Sequence, residues 1–286
     1  MSIQWFPGHM TKARRMIEEE QKLVDVIIEL VDARAPQSSR NPLFNEILSK
    51  HKPRLVVLNK EDIADPARTA YWIGRFTKGN SRAIAVSSVR GQKHVSKEIA
   101  TALRELTQAK QERMKKRGAQ NVQIRAMICG IPNVGKSTFI NALIGRNVTT
   151  TGNKPGVTRG KQWLHMTDDI ELMDTPGLLW NKFDNQEAAE KLAMIAAIDE
   201  HIYDTELIAY KLLNTLKEHY GAQLNARYKI CEDSHLISSM DNAELLDCIG
   251  RSRGVLVRGG NVDILKTSQV LLKEFRDNKI GRISLE

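Results

Sequence analysis

Gly130-Ile131-Pro132-Asn133-Val134-Gly135-Lys136-Ser137 follows an apolar run and precedes a helix-like segment, 138–144. Its spacing, a glycine, four open positions and then Gly-Lys-Ser, in a strand-to-helix context, is that of a phosphate-binding loop. The glycines let backbone N–H groups turn inward around an anion, and the opening helix adds roughly half a positive charge there. Read so, Lys136 bridges the β- and γ-phosphates and the Ser137 hydroxyl takes one position on Mg²⁺. Asn133, Val134, Gly135 and Thr138 complete the cradle. A plain glycine turn is the alternative, and a chance match in this context is rare.

Downstream, Asp174-Thr175-Pro176-Gly177 closes a strand-like run at 170–173. In a phosphate-loop enzyme a carboxylate there holds Mg²⁺ through its water, and the Gly177 N–H meets the γ-phosphate. Between the two motifs, Thr158 in Pro155-Gly156-Val157-Thr158 is placed to complete the Mg²⁺ shell when a γ-phosphate is present; an ordinary loop threonine is the rival reading. Upstream, Asn59-Lys60-Glu61-Asp62 ends the run 55–58. An Asp carboxylate accepts both N1–H and the exocyclic amine of guanine, a donor pair that adenine lacks, so Asp62 favours GTP over ATP. Lys60 would lay its stem along the base, Asn59 would tie this loop to the phosphate loop, and a backbone N–H near Ser87-Ser88 would meet the guanine O6. By itself the tetrapeptide also fits a solvated turn.

The base reader thus comes about seventy residues before the phosphate cradle, the reverse of the usual order in GTP-binding domains. Short apolar runs at 24–31, 55–58, 83–86, 122–129 and 170–173 alternate with helix-like segments at 42–48, 66–76 and 95–117. Such alternation predicts an α/β fold: a parallel-type sheet with helices on both faces and ligands at the carboxyl ends of the strands. After about residue 180 the pattern is helical, with segments at 186–198, 204–220 and 264–275, Gly221 just past a helix end, and Asp241 and Glu244 at capping-box spacing. We therefore expect a permuted GTPase domain with an N-terminal extension over 1–180 and a small all-helical domain over 185–286.

With 286 residues, 41% of them hydrophobic, the chain can bury a full core, and a net charge of +9 favours an anionic partner. No run of eighteen apolar residues occurs, and Met1-Ser2-Ile3-Gln4-Trp5 lacks a long apolar core, so a soluble cytoplasmic protein away from membranes is expected. Cys129, Cys231 and Cys248 have no paired spacing for zinc and read as reduced, buried thiols in helix or strand patterns.

The order of base reader, phosphate loop, Thr158 and Asp-Thr-Pro-Gly, together with Trp5-Phe6-Pro7-Gly8-His9-Met10 and a helical tail, closely resembles the circularly permuted RbgA/YlqF GTPases. Those proteins assist assembly of the large ribosomal subunit in bacteria. The resemblance spans nearly the whole chain, although the tail offers no pattern to match residue by residue. It implies GTP and GDP as ligands, ribosomal RNA and the large subunit as partners, and hydrolysis stimulated by the subunit and coupled to release. Ras-like enzymes orient the attacking water with a glutamine directly after this glycine, where the chain has Leu178. The resemblance points instead to His9 as the catalytic group beside Lys136; a surface histidine is the plain alternative. It also makes Asn133 a candidate K⁺ ligand, an ordinary polar loop residue being equally open. Basic residues Lys110, Arg113, Lys115, Lys116 and Arg117, and Arg251, Arg253 and Arg258, fit an RNA ligand or a solvated face. Nothing suggests an obligate oligomer, so a monomer is expected. The competing functions are a GTPase of another RNA process, such as tRNA modification, and a GTP-gated RNA-binding scaffold that scarcely hydrolyses.

Overall fold

Strands that are apolar on both faces must be covered on both, and this requirement organises the first two-thirds of the chain. The computed structural model describes residues 9–89, 92–146, 163–179 and 185–286, with the side chains of 9, 10, 92 and 93 outside the description. Six strands form one sheet: β1 (Val26–Asp32), β2 (Arg54–Asn59), β3 (Ser81–Val86), β4 (Ile124–Gly130), β5 (Trp163–Thr167) and β6 (Ile170–Asp174), in the order β3-β2-β1-β4-β6-β5. Every side chain of β1 and β2 is buried. The pairs β1–β2, β2–β3, β1–β4 and β4–β6 are parallel, and β5 adds an antiparallel edge to β6. That edge strand escapes a sequence reading because its residues are mostly half-exposed and carry no apolar run.

Around the sheet lie α1 (His9–Glu20), α2 (Leu43–Ile47), α3 (Pro66–Phe76), α4 (Gln92–Lys116) and α5 (Lys136–Ile144). Helix α3 starts where the Asp65 carboxylate accepts from the Ala67 and Arg68 N–H groups, with Pro66 in the first turn. Its Trp72, Ile73 and Phe76 pack on Val31, Val56, Leu58 and Ala83 of the sheet. The alternate side chains Leu55 and Val57 point to the opposite face. Among the described side chains of helix α1 the buried apolar positions are Ala13 and Ile17, one turn apart among charged residues, so its sequence gives little sign of a helix.

Cα packing divides the chain into two compact units, one made of the described residues up to 179 with Glu286, the other of residues 185–285. The second unit contains α6 (Gln186–Met194), α7 (Thr205–His219), α8 (Gly221–Tyr228), α9 (Asn242–Ser252) and α10 (Ile264–Arg276). Asn185, Asp204, Asp241 and Asp263 cap four of these helices through their side-chain oxygens. The core gathers Leu212, Leu216, Leu245, Ile249, Leu271 and Phe275. Gly221 lies just past the end of α7, as its sequence position suggests, and it also opens α8; the break falls on Tyr220, whose hydroxyl is held by the Ser284 N–H at 3.1 Å. The thiols differ from expectation. Cys129 is buried in β4, but Cys231 lies in a connection after α8 and Cys248 in α9, both half-buried. Among the described residues no helix is long and apolar enough to cross a membrane.

Candidate nucleotide site

From β1 the chain runs outward through β2 to β3, then returns to place β4 on the other side of β1. The carboxyl ends of β1 and β4 therefore adjoin at a reversal of strand order, where open α/β sheets bind ligands. Both distant motifs begin at this edge of the sheet: Asn59 closes β2, the neighbour of β1, and Gly130 closes β4.

Hydrogen bonds join them. Asn59 Nδ2 donates to the Val134 carbonyl at 2.9 Å, and Lys60 Nζ donates to the Asn133 carbonyl at 3.0 Å. The Ser88 hydroxyl in turn donates to Asn59 Oδ1 at 2.6 Å, fixing which end of the amide faces the loop. A cavity of about 220 Å³ opens beside these contacts, lined by Asn59, Lys60, Asp62, Ile63, Ser88, Val89, Gly135 and Thr138. Asp62 and the loop residue Gly135 thus face one space. Glu61 shares the short 3-10 turn of Asp62, and the buried Ser87 precedes Ser88, but neither lines that cavity.

Lys136 opens α5 and is buried, its ammonium paired with the buried carboxylate of Asp174. Thr175 anchors the next turn by donating its hydroxyl to the Ile128 carbonyl at 2.7 Å. Gly177 lies so close to the phosphate loop that a Cβ there would stand 3.1 Å from the Pro132 nitrogen. Leu178 is wholly buried; its N–H donates to the Gly130 carbonyl at 3.1 Å and its carbonyl accepts from Asn41 Nδ2 at 2.6 Å. Burial pushes the neighbouring Cys129 thiol up to about 12, a hydrogen bond with Thr175 notwithstanding, so it is an inert packing group. Thr158 and residues 5–8 lie outside the described residues, and of His9 only the backbone is described, as the first residue of α1.

A family model described as "50S ribosome-binding GTPase" matches residues 125–238. Ribosome biogenesis GTPase A of Bacillus cereus is 46% identical over 286 residues, covering 100% of this chain and 94% of that protein. This chain belongs to the ribosome biogenesis GTPase A family. In structure, the GDP-bound YlqF aligns at a TM-score of 0.66 with 26% identity, over 95% of this chain and 98% of the other. The GNP-bound YlqF from T. maritima aligns at 0.63 with 26% identity, over 96% and 97%. As a ribosome biogenesis GTPase A family member the protein hydrolyses GTP.

GTPase domains of this kind use Mg²⁺, and the donors present suit it. Asp174 and Ser137 offer hard oxygens, and among the described residues no group of three His, Cys, Asp or Glu forms a metal cage. Mg²⁺ is usually held in this way, by one or two protein oxygens with phosphates and water completing its shell. The sequence reading missed the residues behind Asn59-Lys60-Glu61-Asp62: Asp32, which holds Lys60, Arg34, which holds Asp32, and Asn41, which holds Leu178. Only Asp32 gave any signal, as a carboxylate ending an apolar strand at the edge where ligands bind.

Proposed function

We infer that this GTPase joins the maturing large ribosomal subunit in its GTP form, promotes a late assembly step, and leaves after hydrolysis that the subunit itself stimulates. The observation that carries the GTP part is the pair of bridges from Asn59 to Val134 and from Lys60 to Asn133, which put Asp62 and Gly135 around one cavity. Asp62 then reads the guanine, Lys136 grips the β- and γ-phosphates, and Ser137, Thr158 and Asp174 attend Mg²⁺. The description of the matching family model supports the large subunit as partner. The net charge of +9 supports an RNA surface.

Pairing and exposure separate the cations that would suit such a surface. Lys110, Arg251 and Arg253 answer the carboxylates of Asp25, Asp247 and Glu274, whereas Arg113, Lys115, Lys116, Arg117 and Arg258 stand exposed. We also assign residues 185–286 as an RNA-binding helical domain, in which Arg258 is an exposed cation.

Hydrolysis needs a group to orient the attacking water, and the buried Leu178 offers none. His9 is the group we assign, its neutral imidazole accepting a hydrogen bond from the water. Single-turnover hydrolysis, measured with and without large ribosomal subunits and in K⁺ and Na⁺ buffers, tests the set. Stimulation of the order of 10³-fold or more is expected with subunits, as in other activated GTPases. In the His9→Ala variant that stimulation should vanish while GTP affinity stays. An unstimulated rate would favour a nucleotide-gated scaffold, and co-sedimentation with tRNA-modifying partners would move the protein to another RNA process. Equal rates in the two buffers would remove K⁺ at Asn133.

A further inference from the structure

Lys60 reaches two acceptors that belong to different parts of the chain. Its ammonium donates to Asp32 Oδ2 at 2.9 Å, at the end of β1, and to the Asn133 carbonyl at 3.0 Å, in the phosphate loop. The Asp32 side chain has no solvent exposure and is gripped on its other side by Arg34, itself buried. Arg34 Nε donates to Oδ1 at 2.9 Å, its terminal nitrogen to Oδ2 at 2.8 Å, and its backbone N–H to Oδ1 at 3.0 Å. With Lys60 added, four donors fill the acceptor capacity of the carboxylate. The Asp32 N–H is held as well, by Ser39 Oγ at 2.9 Å.

An ion cluster of this kind is a poor device for stability, since apolar side chains of like volume would serve as well or better. What it supplies is a fixed place for one ammonium. Burial would raise the Asp32 carboxyl, but Arg34 and Lys60 outweigh it and hold the group ionised well below the usual carboxylate range. Burial also presses the Lys60 ammonium down, and the Asp32 charge opposes that. A lysine otherwise has a flexible four-carbon stem, and here that stem must stay along the wall of the cavity that Asp62, Ile63 and Val89 complete.

We propose that Asp32 and Arg34 are positioning residues for the purine: Arg34 orients the carboxylate, the carboxylate fixes the Lys60 ammonium against Asn133, and the Lys60 stem is thereby held ready as one wall of the base slot. The assignment rests on residues 59–62 being the base reader. It makes Asp32 act through Lys60, so the two must be non-additive.

The experiment is the release rate of fluorescent GDP, and of a fluorescent non-hydrolysable GTP analogue, from the full chain. Asp32→Asn should speed release of both alike by about tenfold or more, the usual cost of losing a hydrogen bond between charged groups. Lys60→Met should do the same, and the double variant should release no faster than Lys60→Met alone. Multiplicative effects, or an unchanged rate in Asp32→Asn, overturn the proposal. Should Asp32→Asn melt too low to measure, Arg34→Lys keeps the charge and loses the forked grip. It should speed release about threefold in the presence of Lys60 and not at all beside Lys60→Met. A separate arm tests the base reader: Asp62→Asn should shift preference from guanosine to xanthosine diphosphate, whose C2 oxygen accepts from an amide where guanine donates. If that shift fails, the base-reader assignment falls; if it occurs and the cycle is multiplicative, only the role of Asp32 and Arg34 falls.

Discussion

At Gly135 the backbone takes φ 94, and a Cβ there would stand 2.5 Å from Asn59 Nδ2. Two costs therefore meet in a single methyl group: a left-handed conformation that side chains resist, and displacement of the amide that ties β2 to the phosphate loop. Gly135→Ala should weaken GDP binding by at least about tenfold, because both halves of the site shift at once, and lower stability by on the order of 1 kcal/mol. Fluorescent-GDP titration and a thermal melt check the two effects, and unchanged GDP affinity would mean that the Asn59 bridge does not hold the site. The phosphate-loop spacing alone makes this glycine legible as backbone that must approach an anion. Its second reason was not legible, since the amide it must avoid lies 75 residues earlier in the chain from the carbonyl that amide meets. Asp32, Arg34 and Asn41 escaped for a related cause: each acts by touching another residue of the site, and such contacts leave no local spacing to read.

Elements were legible where local chemistry decides them. Asp204 and Asp241 cap α7 and α9 as their sequence positions suggest, and Asn59-Lys60-Glu61-Asp62 and the phosphate loop follow apolar strands. Helix α1 and strand β5 were not legible, because each buries too few side chains to leave a periodic signal. In the second unit, Glu274 of α10 ties elements together that sequence separates. Its carboxylate accepts from Arg227 at 2.9 and 2.8 Å and pairs with Arg253 at 3.0 Å, while Arg253 lies 4.9 Å over the Tyr228 ring. Burial would raise this carboxyl, but the hydrogen bonds from Arg227 and Arg253 outweigh it and hold the group at about 2, below its ordinary value of 4.5. A depressed folded-state value stabilises above the unfolded value and loses that contribution as pH falls through the folded one. The contribution is thus complete above about 4.5 and fades toward 2. Glu274→Gln should cost on the order of 2 kcal/mol at neutral pH, after allowance for partial solvent screening, and progressively less as pH falls below about 4. Hydrogen-exchange protection of the α9 and α10 amides, compared across pH, reads the difference. A gap between the two proteins that stays constant down to pH 2 would show that the arginine pairs do not set the stability of this unit.

For the molecule as a whole, exchanging the order of its two motifs leaves the site intact because the sheet, and not the chain order, brings β1, β2, β4 and β6 to a common edge. The helical unit then follows closely on the Asp174-Thr175-Pro176-Gly177 turn in sequence. If RNA is the partner, association releases counterions from its phosphates, so binding must weaken as salt rises, with a slope set by the number of cations that touch phosphate. Exposed Lys115, Lys116 and Arg117 at the end of α4 are the strongest candidates, whereas Lys110 is already paired with Asp25. Replacing all three by alanine should reduce the slope of log affinity against log salt by about 2 if each meets one phosphate. Lys110→Ala should leave the slope nearly unchanged. Filter binding to large-subunit ribosomal RNA over a salt series measures both. Equal slopes for the native chain and the triple variant would place the RNA contact elsewhere, with Arg258 of the helical unit as the next residue to replace; a flat response in the native chain would remove the RNA phosphates from the interface altogether.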